Sequence, residues 1–367
     1  MGKMRIVYLA ICHASPESGI GNKIRDQINY WRNKGHEVEL FLITNSQNSV
    51  EWETTGFATN TWIDESKFSR PFNRISALRD AQNLNPEIIY VRDAFPFYFF
   101  PPRSSRIILE INSVQTNEIK SHSKLKRMIY FIFSKKYYTR WDGLVYVTPE
   151  IKEKLESWNP QMRQITNKVI SNGVDLNRIP KLKVARGERI SFVFLGTPGL
   201  IWNGIDSIID FAEKNLDCDF YVIGESTPRN IPLSSNIKFY GFLNPSEYYE
   251  ILERSHVALG TMSVNRKEMS QGCSLKTREY LAAGLPTVIR YQDVDFDRGD
   301  ADFILNIPLG NEPLGFYSTQ ILNFAKDWQS KRVCRSSLLV VDIATKENAR
   351  LDFFGSFLDL ESDHYHR

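Results

Sequence analysis

No apolar run in this chain approaches the roughly 18 residues that a helix needs to cross a bilayer, so a helical membrane span is not expected. Cysteine is scarce: Cys12, Cys218, Cys273 and Cys334 are scattered with no close pair. That spacing argues against a zinc site and against a disulfide framework, and it fits a reducing cytoplasm. There is no internal repeat and no low-complexity tract, which argues against a solenoid. The start, MGKMRIVYLAICHA, has the basic residue and apolar run of a signal peptide. The run ends in Ser15-Pro16-Glu17 without a small-residue cleavage pattern, so it is read as a buried first strand. Ile6 stands where myristoylation needs Ser or Thr, and that modification is not expected.

What is present is 367 residues, enough for about two domains. Apolar residues make up 42% and charged residues 24%, the balance of a globular protein. The net charge of +3 is unevenly spread. Up to Arg178, 25 Lys and Arg stand against 18 Asp and Glu; beyond it the figures are 21 and 25. The N-terminal half is therefore the one suited to an anionic partner.

Short apolar runs alternate with amphipathic stretches. Strands are predicted from Met4 to Ile11, Val38 to Ile43, Ile88 to Val91, Arg106 to Glu110, Gly143 to Val147 and over Val169-Ile170, with a helix from Gly21 to Lys34. The pattern restarts with strands from Ile190 to Leu195, Phe220 to Ile223, Ile237 to Gly241 and Val257 to Gly260. Between them lie helices from Ile205 to Leu216 and from Ser246 to Arg254, with Ser246 as expected cap. A linker is expected from Leu176 to Arg189, which is charged and contains Pro180 and Gly187. The predicted fold is α/β: two doubly wound Rossmann-like domains, 1–178 and 179–340, facing across a cleft, followed by a helical tail, 341–367.

Several motifs carry chemistry. Ser18-Gly19-Ile20-Gly21-Asn22 sits between the first strand and the first helix, where glycines let backbone N–H groups approach a phosphate. A dinucleotide dehydrogenase is disfavoured, since Ile24 replaces the third glycine and no acid ends the second strand. Arg92, Glu110 and Asn112 lie at C-terminal strand ends, either as ligand contacts or with Arg92 and Glu110 as a structural salt bridge. Asp293, Asp295, Asp297, Asp300 and Asp302 lack the glycine and glutamate of a calcium loop and are read as a solvated loop. From Ile119 to Trp141 there are seven basic residues, no acid and many aromatics. That composition fits an anionic membrane surface or a helix packed on its own domain, and nucleic acid is not expected. The most informative stretch is Ser274 to Val288: a helix from Leu275 to Ala283, stopped by Gly284 and Pro286, then the strand Thr287-Val288-Ile289. Lys276 and Glu279 share one face near the helix N-terminus, suited to a diphosphate and to a pair of sugar hydroxyls, or forming a surface pair.

In wording, the Lys276–Pro286 segment resembles the C-terminal donor-binding motif of the family-4 retaining glycosyltransferases, which have the GT-B fold. Asn172-Gly173-Val174-Asp175 resembles the segment that precedes the C-terminal domain in that family. The resemblance implies an N-terminal acceptor-binding domain, a C-terminal nucleotide-sugar-binding domain and a last helix that crosses back. It implies Lys276, Glu279 and Gln271 as catalytic residues. It implies donor contacts from Gly19, Gly21, Asn203, Gly204, Gly224, Gly241, Gly272, Cys273, Ser274 and Leu275, and an acceptor side at Arg92, Glu110 and Asn112. The expected donor is a UDP- or GDP-sugar, the acceptor a glycan or lipid-linked molecule in cell-surface polysaccharide or glycolipid synthesis. No cofactor or metal is expected, and the location is cytoplasmic, peripheral on the inner membrane face. The sequence departs from the family pattern where Thr197 and Asn203 replace an Arg and a Lys, and where Gln271 replaces the first of two Glu. These departures leave two alternatives open: a catalytically weakened sugar-nucleotide- or membrane-binding homologue, and a sugar-nucleotide 2-epimerase of the same fold.

Overall fold

The computed structural model describes residues 2–66, 69–92, 105–114, 124–229, 232–296, 299 and 301–362. The chain divides into two compact units, Met1–Gly173 with Ile343–Arg367, and Val174–Asp342.

In the first unit, seven strands form one parallel sheet. They are β1 (Arg5–Ile11), β2 (Glu37–Thr44), β3 (Ala58–Ile63), β4 (Ile88–Arg92), β5 (Arg106–Ile111), β6 (Gly143–Tyr146) and β7 (Thr166–Val169), in the order β3-β2-β1-β4-β5-β6-β7. Strands β1, β4 and β5 are nearly continuous apolar runs because helices cover both faces of the sheet. The last helix, Ile343–Ser362, belongs to this unit. Its Phe354 ring packs edge-on against Trp31, at 5.5 Å, and tilted against Tyr90, at 5.2 Å.

The second unit repeats the design. Strands β8 (Ser191–Leu195), β9 (Asp219–Ile223), β10 (Ile237–Phe239), β11 (Val257–Leu259), β13 (Thr287–Ile289) and β15 (Ile304–Asn306) form a parallel sheet ordered β10-β9-β8-β11-β13-β15. Strands β12 (Gln271–Gly272) and β14 (Gln292–Asp293) pair separately. Both large sheets reverse winding direction once, between β1 and β4 and between β8 and β11. Ligands of doubly wound sheets bind beyond the strand ends at that reversal.

The predicted strands and the helix Leu275–Ala283 are present, with ends shifted by a few residues. Some expectations change. Asn244, not Ser246, caps the helix Pro245–Glu253; its side chain accepts from Glu247 N–H and Glu247 returns the bond, with Pro245 in the first turn. The stretch read as a linker is anchored: Leu176, Ile179 and Leu182 are buried in the second unit's core, and Leu182 N–H bonds Ala283 O at 3.0 Å. The edge strands β3 and β15 went unpredicted because they are only partly buried and lack an apolar run. Among the described residues, no helix is long and apolar enough to cross a membrane.

Candidate functional site

The reversal point of the second unit gathers most of the expected donor residues. Lys276, in the first turn of the helix Leu275–Ala283, places its amine 3.0 Å from Asn203 Oδ1 and 4.1 Å from the centre of the Phe194 ring. Burial lowers the amine to a pKa of about 7, only partly offset by the negative charge of Glu225. Asn203 itself is buried, and its amide donates to Thr197 O at 2.9 Å and to Glu225 Oε1 at 3.2 Å. Asn203 therefore acts as a bracket that holds Lys276, the loop after β8 and the loop after β9 together. Gly204 follows with φ +72°, and a Cβ there would lie 2.7 Å from Ser263 Oγ, so only glycine fits the turn. Gly224 is more constrained still: with φ +88°, a Cβ would stand 1.8 Å from Gly196 O. Its N–H donates to Gly241 O at 2.6 Å, which joins the loops after β9 and β10. Ser274 takes the N-cap position without a side-chain capping bond, leaving the positive end of the helix dipole beside Lys276.

Glu279, one turn further on, is nearly buried and makes no bond to Lys276. Its Oε1 accepts from Tyr248 OH at 2.6 Å and from Tyr249 OH at 2.8 Å. Among the described residues Oε2 accepts no hydrogen bond, so one carboxylate oxygen is held and the other is left over for hydroxyl donors. Burial raises both phenols, and the Glu279 charge raises them further, so they stay protonated donors. Gln271 lies in β12, half-exposed, with its amide 3.4 Å from Gln292 Oε1. Gly272 and buried Cys273 follow it into the helix N-terminus. Glu268, three residues before Gln271, is exposed on the preceding turn with φ +56°, a strained conformation for a residue with a Cβ.

The acidic cluster differs from the solvated loop that its sequence predicts. Arg278 is fully buried and binds Asp293 through two bonds of 2.8 Å and Asp295 through one of 2.7 Å. Burial works against its charge, but the two carboxylates more than compensate and keep the guanidinium protonated. Asp297 and Asp300 lie outside the described residues. Among the described residues, no group of His, Cys, Asp and Glu is arranged to hold a metal.

In the first unit, Arg92 and Glu110 are cross-strand neighbours on β4 and β5. Glu110 is the hub of a buried network. It receives Lys23 Nζ at 2.6 Å, Tyr90 OH at 2.6 Å and Asn112 Nδ2 at 3.0 Å, with Arg350 at 3.3 Å and Arg92 at 3.7 Å. Burial alone would push its carboxyl up, but Lys23, Arg350 and Arg92 outweigh burial and hold it well below the usual range. Both of its oxygens are occupied, so the structure gives Glu110 the structural role that the sequence left open, at Arg92 and beyond. Gly21 is not left open to a phosphate: its N–H donates to Ser18 Oγ at 3.0 Å, which caps the helix Gly19–Asn33.

Sequence reasoning missed Lys23, Glu225, Tyr248, Tyr249 and the Arg278–Asp293 pair. Only the last had a signal, an Arg upstream of an aspartate cluster.

Two parallel doubly wound units in one chain, the second with a cationic helix N-terminus at its reversal point, define the GT-B class. The sucrose-phosphate synthase of Thermosynechococcus elongatus superposes with a TM-score of 0.66 at 12% identity, covering 99% of both chains. A glycosyltransferase from Rickettsia africae gives 0.65 at 13%, covering 98% of this chain and 99% of its own. Anabaena HepE, solved with UDP and glucose, gives 0.68 at 11%, covering 96% and 100%. No curated protein matches the sequence. Residues 18–178 match the model of Glycosyltransferase Family 4. The chain thus has the GT-B fold that the sequence predicted, and the family match is confined to residues 18–178.

Proposed function

We propose that this chain is a retaining glycosyltransferase that moves a sugar from a UDP- or GDP-sugar to a glycan or lipid-linked acceptor, without a metal. The observation that carries the proposal is the helix Leu275–Ala283. Its N-terminus lacks a side-chain cap, a lysine amine stands in its first turn, and a carboxylate with one oxygen left over stands a turn later. In this reading Lys276 and the first-turn amides receive the diphosphate, and Glu279 Oε2 accepts the ribose hydroxyls. The acceptor hydroxyl attacks the anomeric carbon from the face that the diphosphate leaves. The departing phosphate oxygen takes its proton, and no side-chain nucleophile is needed. The protein contributes geometry and stabilises charge growing on the diphosphate.

A thermal-shift panel of UDP- and GDP-sugars identifies the donor, since a bound ligand raises apparent stability. Hydrolysis or transfer of that donor by purified protein then establishes catalysis. A second reading, a sugar-nucleotide binder with lost activity, is favoured by Asn203, which supplies a neutral bracket where the family has a cation. Donor binding without turnover on any acceptor supports the binder and sinks the enzyme.

A further inference from the structure

Glu225 follows the Gly224 turn at the C-terminal end of β9, close to where the donor reading puts a diphosphate. An acid near a phosphate site repels the ligand, so its presence there calls for a compensating role. The side chain is partly exposed but held at both oxygens: Oε1 accepts from Asn203 Nδ2 at 3.2 Å and Oε2 from Gly199 N–H at 3.4 Å. Its backbone is pinned to the loop after β10, where Gly241 N–H donates to Glu225 O at 3.2 Å.

The bond to Asn203 decides which way that amide faces. One amide hydrogen goes to Glu225 and the other to Thr197 O at 2.9 Å. With both hydrogens committed, Oδ1 is left to accept from Lys276 Nζ at 3.0 Å. The reverse orientation would set the amide nitrogen against the amine, donor facing donor. The other neighbour of the amine is the Phe194 ring, 4.1 Å away at its centre, and neither neighbour carries a charge. On the same helix, Arg278 is turned to Asp293 and Asp295, and Glu279 to Tyr248 and Tyr249. Desolvation favours the neutral amine, and the negative charge of Glu225 opposes it. A single carboxylate, one amide away from Lys276, thus bears on both the direction and the charge of its amine.

We infer that Glu225 is a positioning residue of the proposed donor site: through Asn203 it aims the Lys276 amine, and its charge keeps that amine cationic for a diphosphate. The part played by a diphosphate rests on the glycosyltransferase reading, whereas the Glu225–Asn203–Lys276 relay stands without it.

The test reads the titration of Lys276 directly, in full-length protein carrying isotope-labelled lysine. Its side-chain resonance is assigned by loss in Lys276→Arg and followed across pH. Glu225→Gln keeps the length of the side chain and removes its charge, and the Lys276 midpoint should fall by roughly one unit. Glu225→Asp keeps the charge and should move the midpoint less. Because the side chain is partly exposed on a loop, both variants should keep the amide spectrum of the folded protein. An unmoved midpoint in Glu225→Gln, or equal shifts in the two variants, overturns the inference. UDP-glucose and GDP-mannose, whose diphosphates do not titrate near neutral pH, are then titrated over the same range. The fall in their affinity with rising pH should begin about one unit lower in Glu225→Gln than in the wild type. If one binds but its pH profile ignores the midpoint, Glu225 has no positioning role towards a diphosphate. If the midpoint moves but neither sugar nucleotide binds, the relay stands and the donor reading falls.

Discussion

Two residues carry the donor reading, and each makes a distinct prediction. Glu279→Ala removes the oxygen proposed to hold the ribose, and nucleotide affinity should fall by about 1–3 kcal/mol, the scale of a charge-assisted bond. Tyr248→Phe is the control, because it removes one of the two bonds to Oε1 and leaves Oε2 in place. Calorimetric titration of the nucleotide checks both, and an unchanged Glu279→Ala affinity removes the ribose assignment. Lys276 makes binding depend on pH. Its amine titrates near 7 in the free protein, and a diphosphate would hold it protonated. Donor affinity should therefore fall as pH rises above 7, approaching tenfold per unit. Lys276→Arg should flatten that slope, since guanidinium does not titrate there. The same group affects stability. With Lys276 near 7 and Lys23 near 8, both below an exposed lysine, the unfolded chain holds more protons between about pH 7 and 10. Unfolding free energy from these groups rises with pH across that window, and below it the cost of burying their charge remains in full.

At the scale of elements, the helix Leu275–Ala283 is held from two sides. Tyr248 and Tyr249 of the helix Pro245–Glu253 grip its Glu279, and Asp293 and Asp295 grip its Arg278. Arg278→Ala should destabilise the protein by about 3–5 kcal/mol in urea unfolding, because it leaves two carboxylates uncompensated, one of them fully buried. The loss should exceed that of Arg278→Lys, which keeps the charge but not the two-pronged geometry. Equal losses would mean that geometry contributes nothing. In the first unit, the C-terminal helix has a comparable role. Glu347 accepts from Trp31 Nε1 at 3.0 Å, and Arg350 reaches Glu110 on β5. The final helix is therefore built into the polar centre of the N-terminal sheet.

On the scale of the molecule, the first unit carries the positive balance, and the helix Lys124–Tyr138 presents part of it. Lys124, Met128, Ile132 and Lys136 recur every four residues on one face, all exposed, with Met128 54% and Ile132 60% accessible; Lys135 is exposed beside them. Residues 119–123 of the basic segment lie outside the described residues. Two apolar side chains among lysines fit an anionic lipid surface better than a wholly solvated face. Each basic residue near such a surface contributes roughly 1 kcal/mol. Co-sedimentation with vesicles rich in anionic lipid should be strong at low salt and fade towards 1 M, where the screening length is about 3 Å. Replacing Lys124, Lys135 and Lys136 by Glu should abolish it. Binding that ignores lipid charge, or survives those replacements, contradicts membrane docking.

The sequence alone determined the winding. Apolar runs of four to eight residues, separated by amphipathic stretches, specify strands covered on both faces, and that pattern is local. It also determined the bounds of the helix Leu275–Ala283, because Gly284 and Pro286 punctuate the backbone wherever the chain goes. It carried the family resemblance for the same reason, since the motif is contiguous. Side-chain partners were decided only by the tertiary structure. Nothing near Glu110 in sequence announces Lys23 or Arg350, and nothing near Asp293 fixes which arginine it will meet. Nor does the sequence near Glu225 reveal that Asn203 links it to Lys276. Those encounters depend on which strands become neighbours in the sheet. Burial then sets the charge state of each group, and burial is a property of the packed molecule.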